Sequence, residues 1–112
     1  MNLNLNVSWS EKLQSEFQQP YFLQLTDFLT QEYQDKNTRI LPPKEQIFNA
    51  LNACDFEDIK VVIVGQDPYP TLGHANGLAF SLNPQVYPLA KSLVNIFKEV
   101  MTDTGAEASH KW

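Results

Sequence analysis

The sequence is poor in cysteine, in cationic residues and in long hydrophobic runs. Its 112 residues include 1 cysteine, which excludes an intrachain disulfide framework and a cysteine-rich zinc cluster. Lys and Arg number 8 against 13 Asp and Glu, so the net charge is −5. This acidity argues against nucleic-acid binding through a broad basic surface. The longest apolar run is Val-Val-Ile-Val at residues 61–64, which is too short to span a membrane.

The composition is typical of a small globular protein. Hydrophobic residues make up 43% of the chain and charged residues 19%. No basic segment followed by an apolar one opens the chain, so we predict no secretory signal. The length fits one domain, because domains commonly have about 100–150 residues. We therefore expect a single cytoplasmic domain over residues 1–112.

Capping residues and proline predict two helices in the N-terminal part. Ser8 is the expected N-cap of the first helix, and Glu11 would complete a capping box. This helix would extend to about Phe17. Pro20 suits the first turn of a second helix, which the apolar spacing of the following residues also favours.

Two further helices are predicted downstream. Pro42 and Pro43 would begin the third helix, and an acidic loop would follow at residues 52–58. Apolar residues at helical spacing predict the last helix within residues 89–100. Gly105 is the expected terminator of this helix.

The β-branched residues 60–64 give the clearest strand prediction. They are apolar on both faces, which is typical of a central parallel strand covered by helices on both sides. Residues 77–82 are a candidate for a second short strand. Helices around a parallel strand predict an α/β fold. Since such a sheet needs more strands, the sequence resembles the first half of an α/β domain.

The loop at residues 65–70 is the strongest candidate for a functional site. Loops at the carboxyl end of a parallel strand commonly bind ligands in open α/β sheets. Gly65 allows close backbone approach, and Pro68 and Pro70 restrict the loop. The alternative is an ordinary turn in which Asp67 hydrogen-bonds its own backbone.

Other catalytic and binding motifs are missing. The glycines do not have the spacing of a dinucleotide-binding or phosphate-binding loop. His74 and His110 are far apart in the sequence and form no metal-binding motif. Cys54 has no catalytic motif around it and is more typical of a small buried residue.

Several segments together resemble family 1 uracil-DNA glycosylases. Residues 65–69 read Gly-Gln-Asp-Pro-Tyr, and residues 77–81 read Gly-Leu-Ala-Phe-Ser, as in the signature of that family. Further segments resemble the family in the same order: residues 19–22, 41–43, 47–50 and 92–99. The resemblance covers about residues 8–101, with the motif-bearing part at residues 60–101.

The resemblance implies both a fold and an activity. The implied fold is an α/β three-layer sandwich with a central parallel sheet, present here as an incomplete N-terminal half. The implied reaction is hydrolysis of the N-glycosidic bond of deoxyuridine in DNA, for base-excision repair. Such enzymes extrude the target nucleotide from the duplex before they cleave it. We expect no cofactor, and the residues offer no metal-binding constellation.

The resemblance also assigns roles to single residues. Asp67 would orient or activate the attacking water and stabilise positive charge on the sugar, because glycoside cleavage has an oxocarbenium-like transition state. Contacts to uracil are implied for Gln66, Tyr69 and Phe80, and contacts to DNA for Ser92, Pro42 and Pro43. The alternatives are structural: packed aromatic side chains, helix starts at the prolines, and an N-cap at Ser92.

Two departures from the family pattern reduce the expected activity. Pro70 stands where the family motif usually has histidine. The family's later asparagine, histidine and leucine of the active site have no counterpart here. We expect little activity from this chain alone, and a catalytically inactive DNA- or protein-binding fragment is the alternative function. The expected partners are uracil-containing DNA, a missing C-terminal half or a proteinaceous inhibitor, and the full family domain is expected to be monomeric.

Overall fold

The computed structural model describes residues 3–107, and His110 lies outside them. Within that part the chain is helical and has no strand. The α-helices are α1 (Val7–Leu13), α2 (Pro20–Gln34), α3 (Asn49–Ala53) and α4 (Lys91–Thr104). Short 3-10 turns lie between them at Glu16–Gln18, Lys44–Gln46 and Phe56–Asp58. No described helix is long and apolar enough to cross a membrane.

Helix α1 is capped by Asn6, so the predicted N-cap at Ser8 is wrong. The Asn6 side chain accepts a hydrogen bond from the Trp9 amide at 3.1 Å. The same side chain donates to the Asp55 carboxylate at 3.1 Å. The Ser8 hydroxyl instead accepts the backbone N–H of Phe56 at 2.6 Å. Both polar side chains therefore hold α1 against the loop at residues 54–58.

The aromatic residue of α1 strengthens this attachment. Trp9 donates its indole N–H to the Cys54 carbonyl at 2.9 Å. Its ring meets that of Phe56 edge-on, with centroids 5.3 Å apart. Lys12 places its ammonium 5.1 Å from the centre of the Phe56 ring. Cys54 is exposed, so its predicted role as a small buried residue is wrong.

The middle helices agree only partly with prediction. Helix α2 begins at Pro20 as predicted, and none of its residues is buried. Pro42 and Pro43 precede a 3-10 turn instead of starting a helix, and α3 begins later, at Asn49. The predicted acidic loop at residues 52–58 is partly helical, because α3 extends to Ala53 and the 3-10 turn Phe56–Asp58 follows.

The predicted central parallel sheet is absent from the described residues, and the α/β three-layer sandwich is wrong for this chain. Residues 60–64 form neither helix nor strand, and the side chains of residues 61–64 are exposed. A strand is stabilised by hydrogen bonds to a neighbouring strand, and no described segment lies beside these residues in that way. The radius of gyration is 16.3 Å, against about 13 Å for a compact domain of about 100 residues.

The second predicted strand, residues 77–82, is also wrong. Gly77 has φ +85° and Phe80 has φ +60°, both in the left-handed region. Strand residues need strongly negative φ, so a strand cannot pass through these two positions. The segment forms turns instead, and these turns bring Leu82 back toward α4.

The buried residues of the described chain lie between residues 75 and 97. Leu82, Leu93 and Phe97 form the apolar cluster, with Leu93 completely buried. Helix α4 supplies Leu93 and Phe97, which lie on the apolar face that the spacing of its residues predicts. The helix ends at Gly105, whose φ of +70° and N–H bond to Met101 confirm the predicted terminator.

Candidate active site

A cavity of about 620 Å³ lies beside the buried cluster. The loop at residues 65–69 forms one side and the turns at residues 75–81 form another. Pro42, Ile47 and Ser92 complete the lining. Four separate regions of the sequence therefore meet at one concave surface. Ligand sites are usually concave and of this size, about 300–1,000 Å³.

Most of the site residues predicted from the sequence line this cavity. The lining residues among them are Gln66, Asp67, Tyr69, Phe80, Ser92 and Pro42. The exception is Pro43, which lines a separate cavity of about 500 Å³ together with the end of α2. The structure thus brings together side chains up to 50 positions apart in the chain, since the lining runs from Pro42 to Ser92.

Asp67 is an exposed residue of the cavity lining. The residue is exposed and its side chain makes no hydrogen bond within residues 3–107. A turn in which Asp67 binds its own backbone would show such a bond, and the described loop lacks it. The carboxylate is therefore available to a ligand or a water molecule in the cavity. Across the described residues, no three His, Cys, Asp or Glu side chains form a group that could hold a metal ion.

Tyr69 joins the two sides of the cavity and α4. Its phenol donates to the Phe80 carbonyl at 3.1 Å. The same oxygen lies 3.4 Å from the Ser92 hydroxyl. The ring packs against the cluster of Leu82, Leu93 and Phe97. Tyr69 is thus fixed by packing on its ring and by polar contacts at its hydroxyl.

Phe80 has an unusual backbone conformation for a large side chain. A φ of +60° is costly for any residue with a Cβ atom, by about 1–2 kcal/mol. The hydrogen bond from Tyr69 to its carbonyl helps to hold this conformation. Phe80 is 38% exposed and lines the cavity.

Asparagines that sequence reasoning missed hold the turns of the site in place. Asn49 on α3 donates to the Asn76 carbonyl at 2.7 Å. The Asn76 side chain donates to the buried Ser81 hydroxyl at 2.7 Å and accepts from the Leu78 amide at 3.1 Å. The dipeptide Asn76-Gly77 is a recognised turn signal and could have indicated this turn.

Gly77 is required at its position for two reasons. Its φ of +85° is unfavourable for other residues. A Cβ atom there would lie 2.0 Å from the Gln46 carbonyl oxygen and 3.1 Å from the Cβ atom of Asn49. The turn therefore packs directly against the backbone that precedes α3.

Helix α2 also supports the cavity wall. Tyr33 donates its phenolic hydrogen to the Pro42 carbonyl at 2.9 Å. Burial raises the pKa of Tyr33, and the nearby Glu45 carboxylate raises it further. The phenol therefore keeps its proton, and with it this hydrogen bond, well above neutral pH.

The lining residues and their motifs define a likeness to glycosylases that act on uracil in DNA, and comparisons confirm it. The chain is 50% identical over 108 residues to a uracil-DNA glycosylase of Bacteroides thetaiotaomicron, which covers 96% of the chain and 48% of that relative. The corresponding protein of Phocaeicola vulgatus is 50% identical over 106 residues, 95% of the chain and 47% of the relative. A uracil-DNA glycosylase of Borreliella burgdorferi is 49% identical over 100 residues, 89% of the chain and 44% of the relative.

These comparisons also fix the extent of the likeness. The chain spans about half the length of the curated relatives that it matches. No protein-family model matches the chain. The predicted resemblance to uracil-DNA glycosylases is therefore confirmed for nearly all of this chain and for about half of each relative.

Proposed function

We propose that the cavity is the uracil-binding part of a uracil-DNA glycosylase site acting in base-excision repair. The observation that carries this proposal is the meeting of Gln66, Asp67 and Phe80 in one cavity of about 620 Å³. These side chains offer an amide, a carboxylate and an aromatic face. The substrate is then a deoxyuridine extruded from DNA, and the reaction is hydrolysis of its N-glycosidic bond.

Asp67 is the proposed catalytic residue. Cleavage of a glycosidic bond places positive charge on the sugar, which an adjacent carboxylate stabilises. The same carboxylate can orient the water that attacks the sugar carbon. The unbonded, exposed state of the Asp67 side chain supports this role, because no described residue occupies its oxygen atoms.

The aromatic residues account for recognition of the base. Phe80 lines the cavity and is 38% exposed, so a base can stack on its ring there. Tyr69 is held by its hydroxyl and cannot easily move away from the cavity. A ring fixed in this way can exclude thymine, whose methyl group needs more space than the hydrogen of uracil.

The DNA contacts are proposed at the rim. Ser92 lies at the start of α4 and next to Lys91, whose charge suits a phosphate. Pro42 lines the cavity, whereas Pro43 lines its neighbour, so the two prolines would contact different parts of a DNA strand. The net charge of −5 predicts that affinity for DNA without uracil is weak.

Uracil release from a single-stranded oligonucleotide tests the proposed reaction. We expect slow release of free uracil by the chain and a loss of at least about a hundredfold for Asp67→Asn, a typical effect of removing one group that stabilises developing charge. Asp27→Asn is the matched control, because Asp27 is exposed on α2 and does not line the cavity. Equal rates for both variants would contradict the assignment of Asp67.

The alternative function is a catalytically inactive fragment that binds DNA or protein. The observation that favours it is the extent of the match, about half of each relative. This alternative predicts no uracil release by the unaltered chain, together with tighter binding to a uracil-containing oligonucleotide than to its thymine counterpart. Fluorescence anisotropy with the two oligonucleotides measures that difference.

A further inference from the structure

A second cavity, of about 500 Å³, lies close to the cavity proposed for uracil. Pro42 lines the first cavity and Pro43 lines the second, and consecutive Cα atoms are about 3.8 Å apart. The loop that carries Asp67 in the first cavity continues to Leu72, which lines the second. Two separate segments therefore contribute to both cavities, and a ligand longer than one nucleotide can extend from one cavity into the other.

The two cavities differ in the charge of their linings. The sequence has one arginine, Arg39, and this residue lines the second cavity together with Lys44. Among the described residues of that lining, Glu45 is the one that is acidic. The described lining of the first cavity contains Asp67 and no Lys or Arg. The second cavity therefore suits an anion better than the first does.

The side chains of Arg39 and Lys44 have no partner in the described part of the chain. Neither forms an ion pair or a hydrogen bond within residues 3–107. The carboxylate of Asp35 instead accepts from the Asn37 amide at 2.9 Å and from the Thr38 hydroxyl at 2.8 Å. Both cations are exposed, so they are available to an anion that enters the cavity.

The hydroxyl groups of this lining already donate within the fold. Tyr33 donates to the Pro42 carbonyl at 2.9 Å, and Thr30 donates to the Thr26 carbonyl at 2.7 Å. The Thr38 hydroxyl, which also lines the cavity, donates to the carboxylate described above. The strongest donors left for a ligand are therefore the two charged groups, which favours an anion over a neutral ligand.

We propose that Arg39 and Lys44 bind a phosphate group of the DNA strand beside the extruded deoxyuridine. A guanidinium binds phosphate oxygens with two parallel hydrogen bonds, and an ammonium adds a point charge. Successive phosphates of one strand are about 3.4 Å apart along a duplex, which is comparable with the spacing of the two prolines. The proposal rests on the proposed function for the position of the nucleotide, and it adds a site outside the uracil cavity.

Fluorescence anisotropy with a single-stranded oligonucleotide that contains thymine and no uracil tests this site. Arg39→Gln should weaken binding by about fivefold at low salt, which corresponds to the loss of one exposed ion pair. It should also reduce the slope of log affinity against log salt concentration by about 0.7, because one phosphate contact is lost. Lys36→Gln is the matched control. It removes the same charge from an exposed residue three positions before Arg39 that lines neither cavity.

Glu45 provides a variant with the opposite expected result. Its negative charge opposes a phosphate bound in the same cavity. Glu45→Gln should therefore tighten binding of the thymine oligonucleotide, by up to about fivefold. Glu11→Gln is the control for this change, since Glu11 is exposed on α1 and lines neither cavity.

The same measurements separate this site from the proposed uracil site. Arg39→Gln should weaken binding of uracil and thymine oligonucleotides by the same factor, because the phosphate is common to both. Asp67→Asn should reduce uracil release and leave the salt dependence of thymine-oligonucleotide binding unchanged. If no uracil is released while Arg39→Gln still lowers the salt slope, the proposed reaction fails and the phosphate site stands.

Three results would overturn the proposal. One is an equal effect of Arg39→Gln and Lys36→Gln, which would show that net charge alone determines the affinity. Another is the absence of any binding to the thymine oligonucleotide at low salt. The third is binding of thymidine monophosphate as tight as that of the oligonucleotide, which would assign the cavity to a free nucleotide. Circular dichroism of each variant confirms that the helices remain, so a lost affinity reports on the site.

Discussion

Residues 61–64 and the cluster on α4 are both strongly apolar, but only the cluster is buried. Val64 is 87% exposed, whereas Leu93 is completely buried. The cluster of Leu82, Leu93 and Phe97 is packed by the side chains of Tyr69, Val86, Leu89 and Ala90. Apolar character alone therefore does not determine which segment of this chain forms a core.

The two segments differ in how far along the sequence the residues that could cover them lie. The apolar face of α4 is covered largely by the segment that precedes it, from Leu82 to Ala90, so only short loops have to close. Residues 61–64 have no such neighbour within the described chain. A helix satisfies its own backbone, whereas an extended segment needs another segment for its hydrogen bonds.

The largest effect is expected from truncation of Leu93, which lies at the centre of the buried cluster. Leu93→Ala removes a side chain with no exposed surface. Such changes destabilise a fold by about 2–5 kcal/mol. For a small cluster this predicts a large loss in the free energy of unfolding, or loss of the cooperative transition, in urea followed by circular dichroism.

The same substitution on α2 is the control. Leu23 is 56% exposed, so Leu23→Ala should change the free energy of unfolding by less than about 0.5 kcal/mol. Equal destabilisation by the two variants would show that burial near α4 does not dominate stability.

A smaller effect is expected at the turn that attaches the packed region to the residues before α3. Gly77→Ala adds a Cβ atom 2.0 Å from the Gln46 carbonyl oxygen. Gly73→Ala is the matched control, since Gly73 has a similar φ of +81° and open space around it. The difference between the variants isolates the steric clash and should be about 1–3 kcal/mol in the free energy of unfolding.

Equal stability of the two alanine variants would show that the turn does not pack on Gln46 in solution. The packed region would then be limited to residues 75–97. A larger effect at Gly77 would extend that region to the 3-10 turn Lys44–Gln46.

The sequence predicts the helices of this chain better than its sheet. Pro20 and Gly105 correctly mark the start of α2 and the end of α4, because both act through local backbone geometry. The sequence predicts the cap of α1 at Ser8, because the long-range hydrogen bond between Ser8 and Phe56 cannot be seen in the sequence. The predicted sheet is wrong because a strand depends on neighbouring strands that the described chain does not supply.

The candidate site was predicted more completely than the fold around it. The motif placed Gln66, Asp67 and Tyr69 together because they are close in sequence, and the cavity includes all three. The bracing by Asn49 and Asn76 was not predicted, because the bond between them joins positions 27 apart. The roles of the lining residues remain predictions that the uracil-release assay tests.

The smallest effect is expected at Tyr69, which follows the exposed run and packs on the buried cluster. Tyr69→Phe keeps the ring and removes the hydroxyl that binds the Phe80 carbonyl at 3.1 Å. The contact with the Ser92 hydroxyl at 3.4 Å is longer, so loss of the bond to Phe80 dominates and predicts a decrease of about 0.5–1.5 kcal/mol in the free energy of unfolding. Tyr87→Phe is the control, because Tyr87 is 90% exposed and its hydroxyl binds no described residue.

Since exclusion of thymine depends on the ring, Tyr69→Phe should keep the preference for uracil in the anisotropy assay while it loses stability. Loss of that preference with unchanged stability would instead place the hydroxyl in recognition of the base. Tyr69 would then act at the exposed loop of residues 65–69 and not as a support of the buried cluster.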